Sequence, residues 1–183
     1  MNNQGWINLY KPKNITSFQA LKIIKKKFFL KKVGHAGTLD PTAEGILPIA
    51  IGKATKLIEY INKDLKKYNF TIKWGVQTTT DDETGTILKS SNLIPSKNDI
   101  EKKLDDFIGN IEQKPPKVSA VKINGERAYK LVREKIEFKT NYKKVFVKKL
   151  KLKSITNNTA TFEIECGKGF YVRSLARDLA IKL

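Results

Sequence analysis

Asn157-Asn158-Thr159-Ala160-Thr161-Phe162-Glu163-Ile164-Glu165-Cys166 is followed by Gly167-Lys168-Gly169-Phe170-Tyr171-Val172-Arg173-Ser174-Leu175-Ala176-Arg177-Asp178-Leu179. This stretch holds both periodicities from which the fold is built. Ala160, Phe162, Ile164 and Cys166 alternate with polar residues, which predicts a strand with one face in a core. Asn157-Asn158 supplies a hairpin turn before it, so another strand precedes. Val172, Leu175, Ala176, Leu179 and Leu183 then recur at helical spacing, which predicts a closing helix. A hairpin running into a helix without strict strand–helix alternation argues for an α+β class, or a mixed α/β domain around one sheet.

Working outward, the same mixture recurs. Gly5 to Leu9 reads as a short strand closed by Tyr10-Lys11-Pro12. Thr16 and Gln19 have capping-box spacing, so a helix follows to about Leu30, with Phe18, Leu21, Ile24 and Phe28 along one face. Gly34 to Lys56 reads as an ordered loop leading into a buried strand, Ile46 to Ile51, and a helix from about Ala54 to Ile61. Lys67 to Trp74 reads as a strand and Thr78 to Gly85 as a polar loop. Ser96 and Asp99 can cap a helix carrying Ile100, Leu104, Phe107 and Ile108. Pro115-Pro116 interrupts. Lys117 to Arg133 reads as a projecting basic loop with a helical turn. The expected architecture is a mixed sheet flanked by helices, in one domain over 1–183.

Composition limits the function classes. A chain of 183 residues, 40% hydrophobic, can bury roughly 70% of its unfolded surface. No stretch approaches the ~20 apolar residues of a membrane span. The first five residues lack the basic and apolar regions of a signal peptide, so the expected compartment is the cytoplasm. One Cys and one His exclude a disulfide framework and leave any metal to carboxylates. Asp81-Asp82-Glu83 reads as a turn, because adjacent carboxylates do not converge on one ion without a special loop. Gly45 to Thr55 is not a P-loop, since Leu47 stands where its first Gly belongs. The net charge of +18 favours a polyanionic partner, each cation at a phosphate releasing counterions. A genome biased toward Lys would give the same excess.

Gly34-His35-Ala36-Gly37-Thr38-Leu39-Asp40-Pro41 carries the chemistry. Two glycines open backbone angles closed to other residues. Pro41 fixes its own φ and pushes Asp40 out of the helical region. An Asp held in this way can serve as nucleophile or base. Taken alone, the segment is equally compatible with a plain turn. Tyr68 alone is compatible with a core aromatic, Arg173 with a solvated helix-start charge, Tyr171 with packing and His35 with a turn cap.

His35 to Pro41, continued by Ala43, Gly45, Leu47-Pro48, Gly52 and Ala54-Thr55-Lys56, resembles the signature of the bacterial tRNA pseudouridine synthase B family. Lys11-Pro12 resembles the family's early Lys-Pro, and Lys67-Tyr68 its strand-opening pair. Gly75, Thr78, Thr80, Asp82 and Gly85 follow a family pattern in which Thr79 stands where Asp is usual. Pro115-Pro116, Ser119-Ala120, Lys122, Gly125 and Tyr129 resemble its RNA-contacting insertion, and Cys166 to Leu175 its Cys-Ser-Lys-Gly-Thr-Tyr-Ile-Arg run. These motifs stand in family order over nearly the whole chain.

The resemblance implies the pseudouridine synthase catalytic fold, a mixed, mainly antiparallel sheet flanked by helices with an RNA-contacting insertion at about 111–134, and isomerisation of uridine 55 in the T-arm loop of tRNA, with no cofactor and no metal. It assigns catalysis to Asp40, which attacks the sugar at C1′ or else assists departure of the base. It assigns stacking on the target base to Tyr68, pairing with the carboxylate to Arg173, and contacts around the flipped nucleotide to His35 and Tyr171. Lys11, Lys117, Lys122, Arg127 and Lys130 are the expected RNA contacts, and the expected state is a monomer bound to tRNA alone. Related enzymes continue past the Tyr-Val-Arg helix into a C-terminal RNA-binding portion, expected to be absent here. The rival readings are a non-catalytic tRNA-binding module and a sister synthase with another RNA target.

Overall fold

A computed structural model describes residues 4–61 and 65–183. It resolves into two compact units, one up to Asp64 and one from Leu65. Among the described residues no helix is long and apolar enough to cross a membrane.

The first unit is a three-stranded antiparallel sheet carrying one helix. β1 (Gly5–Lys11) leads to α1 (Ser17–Lys27), β2 (Val33–His35) and β3 (Gly45–Ile51). A 3-10 turn, Gly52–Leu57, then runs into a single helical turn, α2 (Ile58–Ile61), where one helix was expected. β3 is central, pairing with β1 from Lys11↔Gly45 to Gly5↔Ile51 and with β2 from His35↔Ile49 to Val33↔Ile51.

The Thr16–Gln19 capping box forms as expected. The buried stripe of α1 is Ser17, Ala20, Leu21 and Ile24, and it packs on Leu47 and Ile49. Phe18 and Phe28, expected on that face, are exposed. Phe18 sits one residue off the stripe. Phe28 follows the last α-helical residue, where the backbone has already turned (φ −106°, ψ 12°). The helix stops at Lys27 because Phe29 takes a left-handed conformation, φ +50°.

The second unit is a four-stranded antiparallel sheet in the order β4-β11-β10-β7. Its elements are β4 (Lys66–Lys73), β5 (Val76–Thr78), β6 (Ile87–Ser90), α3 (Lys97–Leu104), β7 (Gly109–Gln113), β8 (Lys122–Ile123), β9 (Glu126–Arg127), α4 (Ala128–Arg133), β10 (Lys143–Ile155), β11 (Thr159–Cys166) and α5 (Val172–Lys182). The strands thus divide between two main sheets. All their pairings are antiparallel among the described residues, and the α+β class holds.

β11 behaves as its alternation predicts. Ala160, Phe162, Ile164 and Cys166 are fully buried under α3 and α5, against Ile100, Leu104, Leu175 and Leu179. Each such large apolar side chain contributes about 1.5–3 kcal/mol by leaving water. Phe162 lies opposite Phe70 with the rings stacked at 5.3 Å. β10 is less legible, because its inward residues change parity from Val145 and Val147 to Leu150. A register shift between Val147 and Lys149 supplies the extra residue.

The segment read as a polar loop after Thr78 is the tip of the β5–β6 hairpin. The helix at Lys97 gives way to a 3-10 turn, Asp105–Phe107, and Ile108 leaves it exposed. In the insertion, Asn124 (φ 49°) and Gly125 (φ 91°) form the two-residue turn of the β8–β9 hairpin.

Candidate active site

In the first unit, the chain leaves β2 where the sheet cannot continue. The Ala36 amide donates to the Pro48 carbonyl at 2.9 Å. Pro48 has no N–H to return the bond, so pairing ends there. Gly37 takes φ +89° and turns the chain away. His35 Nδ1 donates to the Gly37 carbonyl.

Asp40 is then held by backbone bonds on both sides. The Ser17 hydroxyl donates to the Leu39 carbonyl at 3.0 Å and accepts from the Leu39 amide at 2.9 Å. Ala43 N–H donates to the Asp40 carbonyl at 3.1 Å, and Asn14 N–H to the Pro41 carbonyl at 2.8 Å. Asp at the first position and Pro at the second are favoured in such a turn.

Lys11 completes the cage. Its side chain is 0% exposed, and its ammonium donates to the Pro12 and Ile15 carbonyls, both at 2.9 Å. Burial lowers its pKa from the ordinary lysine value, while the Asp40 and Glu44 carboxylates pull it back up. The Lys11 ammonium thus has two carbonyl partners where an RNA phosphate was expected. A fully buried ammonium bound to two carbonyls is not presented to an RNA backbone, and it places positive charge within electrostatic reach of Asp40.

In the second unit, the start of α5 is fastened to the end of β7. The buried Gln113 side chain accepts from the Tyr171 amide at 2.8 Å and donates to the Tyr171 carbonyl at 3.0 Å. Ser174 Oγ donates to the Lys114 carbonyl at 2.8 Å. Arg173 donates to the carbonyls of Thr80 at 2.9 Å and Val118 at 3.1 Å, and its Nε lies 3.7 Å from Asp82. Burial acts to raise the Asp82 pKa. Hydrogen bonds from Thr80 and Thr84, with the Arg173 charge, outweigh it and hold the carboxyl below its usual range. Arg177 binds Asp81 and Asp178, both at 2.8 Å.

Arg173 thus ties the β5–β6 tip to the insertion. Gly85 is required in that tip, since a Cβ there would lie 2.5 Å from Thr80 Oγ1 and 2.7 Å from its backbone nitrogen. Tyr68 lies on β4 opposite Ile164, half-buried against the core. Lys117, Lys122, Arg127 and Lys130 are exposed. Arg127 also donates to the Ala120 carbonyl, and Arg133 lies 5.8 Å from the centre of the Tyr129 ring.

His35 and Asp40 therefore share the loop of the first unit. Tyr68, Tyr171 and Arg173 belong to the second. Sequence reasoning missed Ser17, Asn14 and Gln113, which do the fastening. Nothing local marks them, because Ser17 bonds 22 residues away and Gln113 bonds 58 away.

Against known proteins, residues 25–172 match the model for the TruB family pseudouridylate synthase N-terminal domain. The chain is 54% identical over 181 residues to the tRNA pseudouridine synthase B of Wolbachia pipientis subsp. Culex pipiens (strain wPip), covering 98% of this chain and 51% of that protein. It is 52% identical to that of Ehrlichia ruminantium (strain Gardel), covering 98% and 61% respectively. It therefore spans about half to three-fifths of these relatives. Among solved structures it resembles a chain in a Cbf5–Nop10–Gar1 complex, with TM-score 0.73 and 27% identity over 98% of this chain and 44% of that one.

Proposed function

The chain belongs to the TruB family of pseudouridylate synthases, and from that premise we propose that it converts uridine 55 in the T-arm loop of tRNA to pseudouridine, Asp40 acting at the ribose–uracil linkage. The observation that carries the reading is the cage around Asp40. Its loop is fastened by Ser17 and Asn14 and has the buried Lys11 ammonium in electrostatic reach. A carboxylate that must meet C1′, or draw the base from it, gains from a backbone that does not reorganise during reaction.

The product is an isomer of the substrate. The N1–C1′ bond breaks, a C5–C1′ bond forms, C5 gives up its proton and N1 takes one. No net oxidation occurs. The uridine leaves its stack before its glycosidic bond can be reached. Tyr68 then offers an aromatic face that recovers about 1–3 kcal/mol of stacking. Arg173 steadies the acidic partner of the reaction, and His35 and Tyr171 contact the extruded nucleotide. Lys117, Lys122, Arg127 and Lys130 of the 111–134 insertion take phosphates. Residues 1–183 are read as catalytic, working as a monomer in the cytoplasm on the folded T-arm, whose shape and phosphates are the recognised features.

The test is Asp40→Ala on an unmodified tRNA transcript, with pseudouridine detected chemically. Product should vanish while transcript binding survives. Undiminished product in the variant refutes the assignment. Product on an rRNA transcript but not on tRNA would transfer the activity to another target.

A further inference from the structure

The C-terminal end of α1 is the most basic surface of the first unit. The sequence holds eight lysines and no acidic residue before Asp40. Lys22, Lys25, Lys26, Lys27, Lys31 and Lys32 are all exposed. None of the six forms an ion pair among the described residues. Lysines in a last helical turn complement the helix dipole. That accounts for three of them, but not for Lys31 and Lys32, which lie beyond the helix.

Phe29 is the second observation. The helix ends in a Schellman arrangement, with the Leu30 amide donating to Lys25 at 2.9 Å and the Phe29 amide to Lys26 at 3.3 Å. Leu30 supplies the buried apolar contact that accompanies such an ending. Phe29 stands at the position normally given to Gly, at φ +50°, and its side chain is 93% exposed. A bulky residue in that conformation is strained, and here the strain brings no packing in return.

We propose that this end of α1 is a second RNA-binding surface, its lysines taking phosphates and Phe29 stacking on an unpaired base of the substrate. The inference rests on the reading of the substrate as RNA. An acidic lipid surface fits less well. Membrane-surface helices put their apolar face into lipid, whereas the Ala20, Leu21 and Ile24 face of α1 is already in the core. Phe18 continues the pattern, with the Lys22 ammonium 4.7 Å from its ring centre. The 11 residues of α1 span about 16 Å at ~1.5 Å each. The helix is tied to the Asp40 loop at its start, so contacts at its end lie well outside the reacting nucleotide.

The experiment measures binding of an unmodified tRNA transcript across a salt series, together with thermal unfolding and pseudouridine formation. Phe29→Gly relieves the backbone strain, so Tm should rise or hold while transcript affinity falls at least about five-fold, as loss of a stacked base requires. The double change Lys31→Gln, Lys32→Gln should lower the salt slope by roughly 1–2, at about 0.7–0.9 per phosphate contact. Unchanged transcript affinity and slope in both variants overturn the proposal. So does an unaltered chain that fails to bind the transcript, or a Phe29→Gly loss confined to phosphatidylglycerol vesicles. If the unaltered chain binds the transcript yet forms no pseudouridine, the functional reading fails, and the two variants still decide this one.

Discussion

Ser17→Ala tests whether the Asp40 loop is held as described. Ser17 is 3% exposed, and its hydroxyl both donates to and accepts from Leu39, at 3.0 and 2.9 Å. Each such bond contributes about 1 kcal/mol net, and more where the orphaned partner stays dry. Two bonds therefore give about 2 kcal/mol. Alanine has the better helix propensity at this first helical position and returns roughly 0.5 kcal/mol. The expected loss is about 1.5 kcal/mol, close to a tenfold change in the closed-to-open ratio of the loop. Amide exchange at Leu39 reads it directly, with protection falling about tenfold. The urea midpoint should drop with an unchanged m-value, and single-turnover pseudouridine formation should slow with transcript affinity retained. Undiminished Leu39 protection would refute the reasoning. It would mean that water satisfies the Leu39 backbone and that the hydroxyl does not fasten the loop.

The remaining predictions concern the second unit. The folded Asp82 pKa is depressed from 3.8, so its stabilisation is complete above that unfolded value and is lost as pH falls through the folded one. Asp82→Asn should be less stable at neutral pH and lose less on acidification, and parallel acid limbs in urea melts at successive pH values would count against this. Burial pushes the Cys166 thiol up to about 12, so at neutral pH the reagent iodoacetamide should label it only as fast as the chain opens. Labelling of the native protein at the rate of a free thiol would contradict the burial.

How legible the fold was depended on the range of the forces involved. β11 could be read because one face meets core and the other does not, and the caps at Thr16 and Ser96 because their partners lie three residues away. β10 was legible only as the strand before the Asn157-Asn158 turn, because a bulge changes which of its residues face inward. Such an inserted residue is set by the partner strand and not by the strand's own sequence. Phe28 sits at helical spacing from Ile24, yet it is exposed because the helix ends just before it. The spacing was right, but the boundary was set by the left-handed residue at 29.

Lys11 shows the same limit for a charge. Its motif and its sign suggested a phosphate contact, and only the fold reveals that the ammonium is desolvated and bound to carbonyls. The bonds described around the Asp40 backbone come from residues between Asn14 and Ala43, with Lys11 nearby. The second unit is fastened separately, through Gln113, Arg173 and Arg177. Substitutions at Asn14 or Ser17 should loosen the bonds around the Asp40 backbone. Within this reading the insertion serves the reaction as well as recognition, because the Val118 carbonyl helps to hold Arg173, the residue assigned to steady the reacting carboxylate.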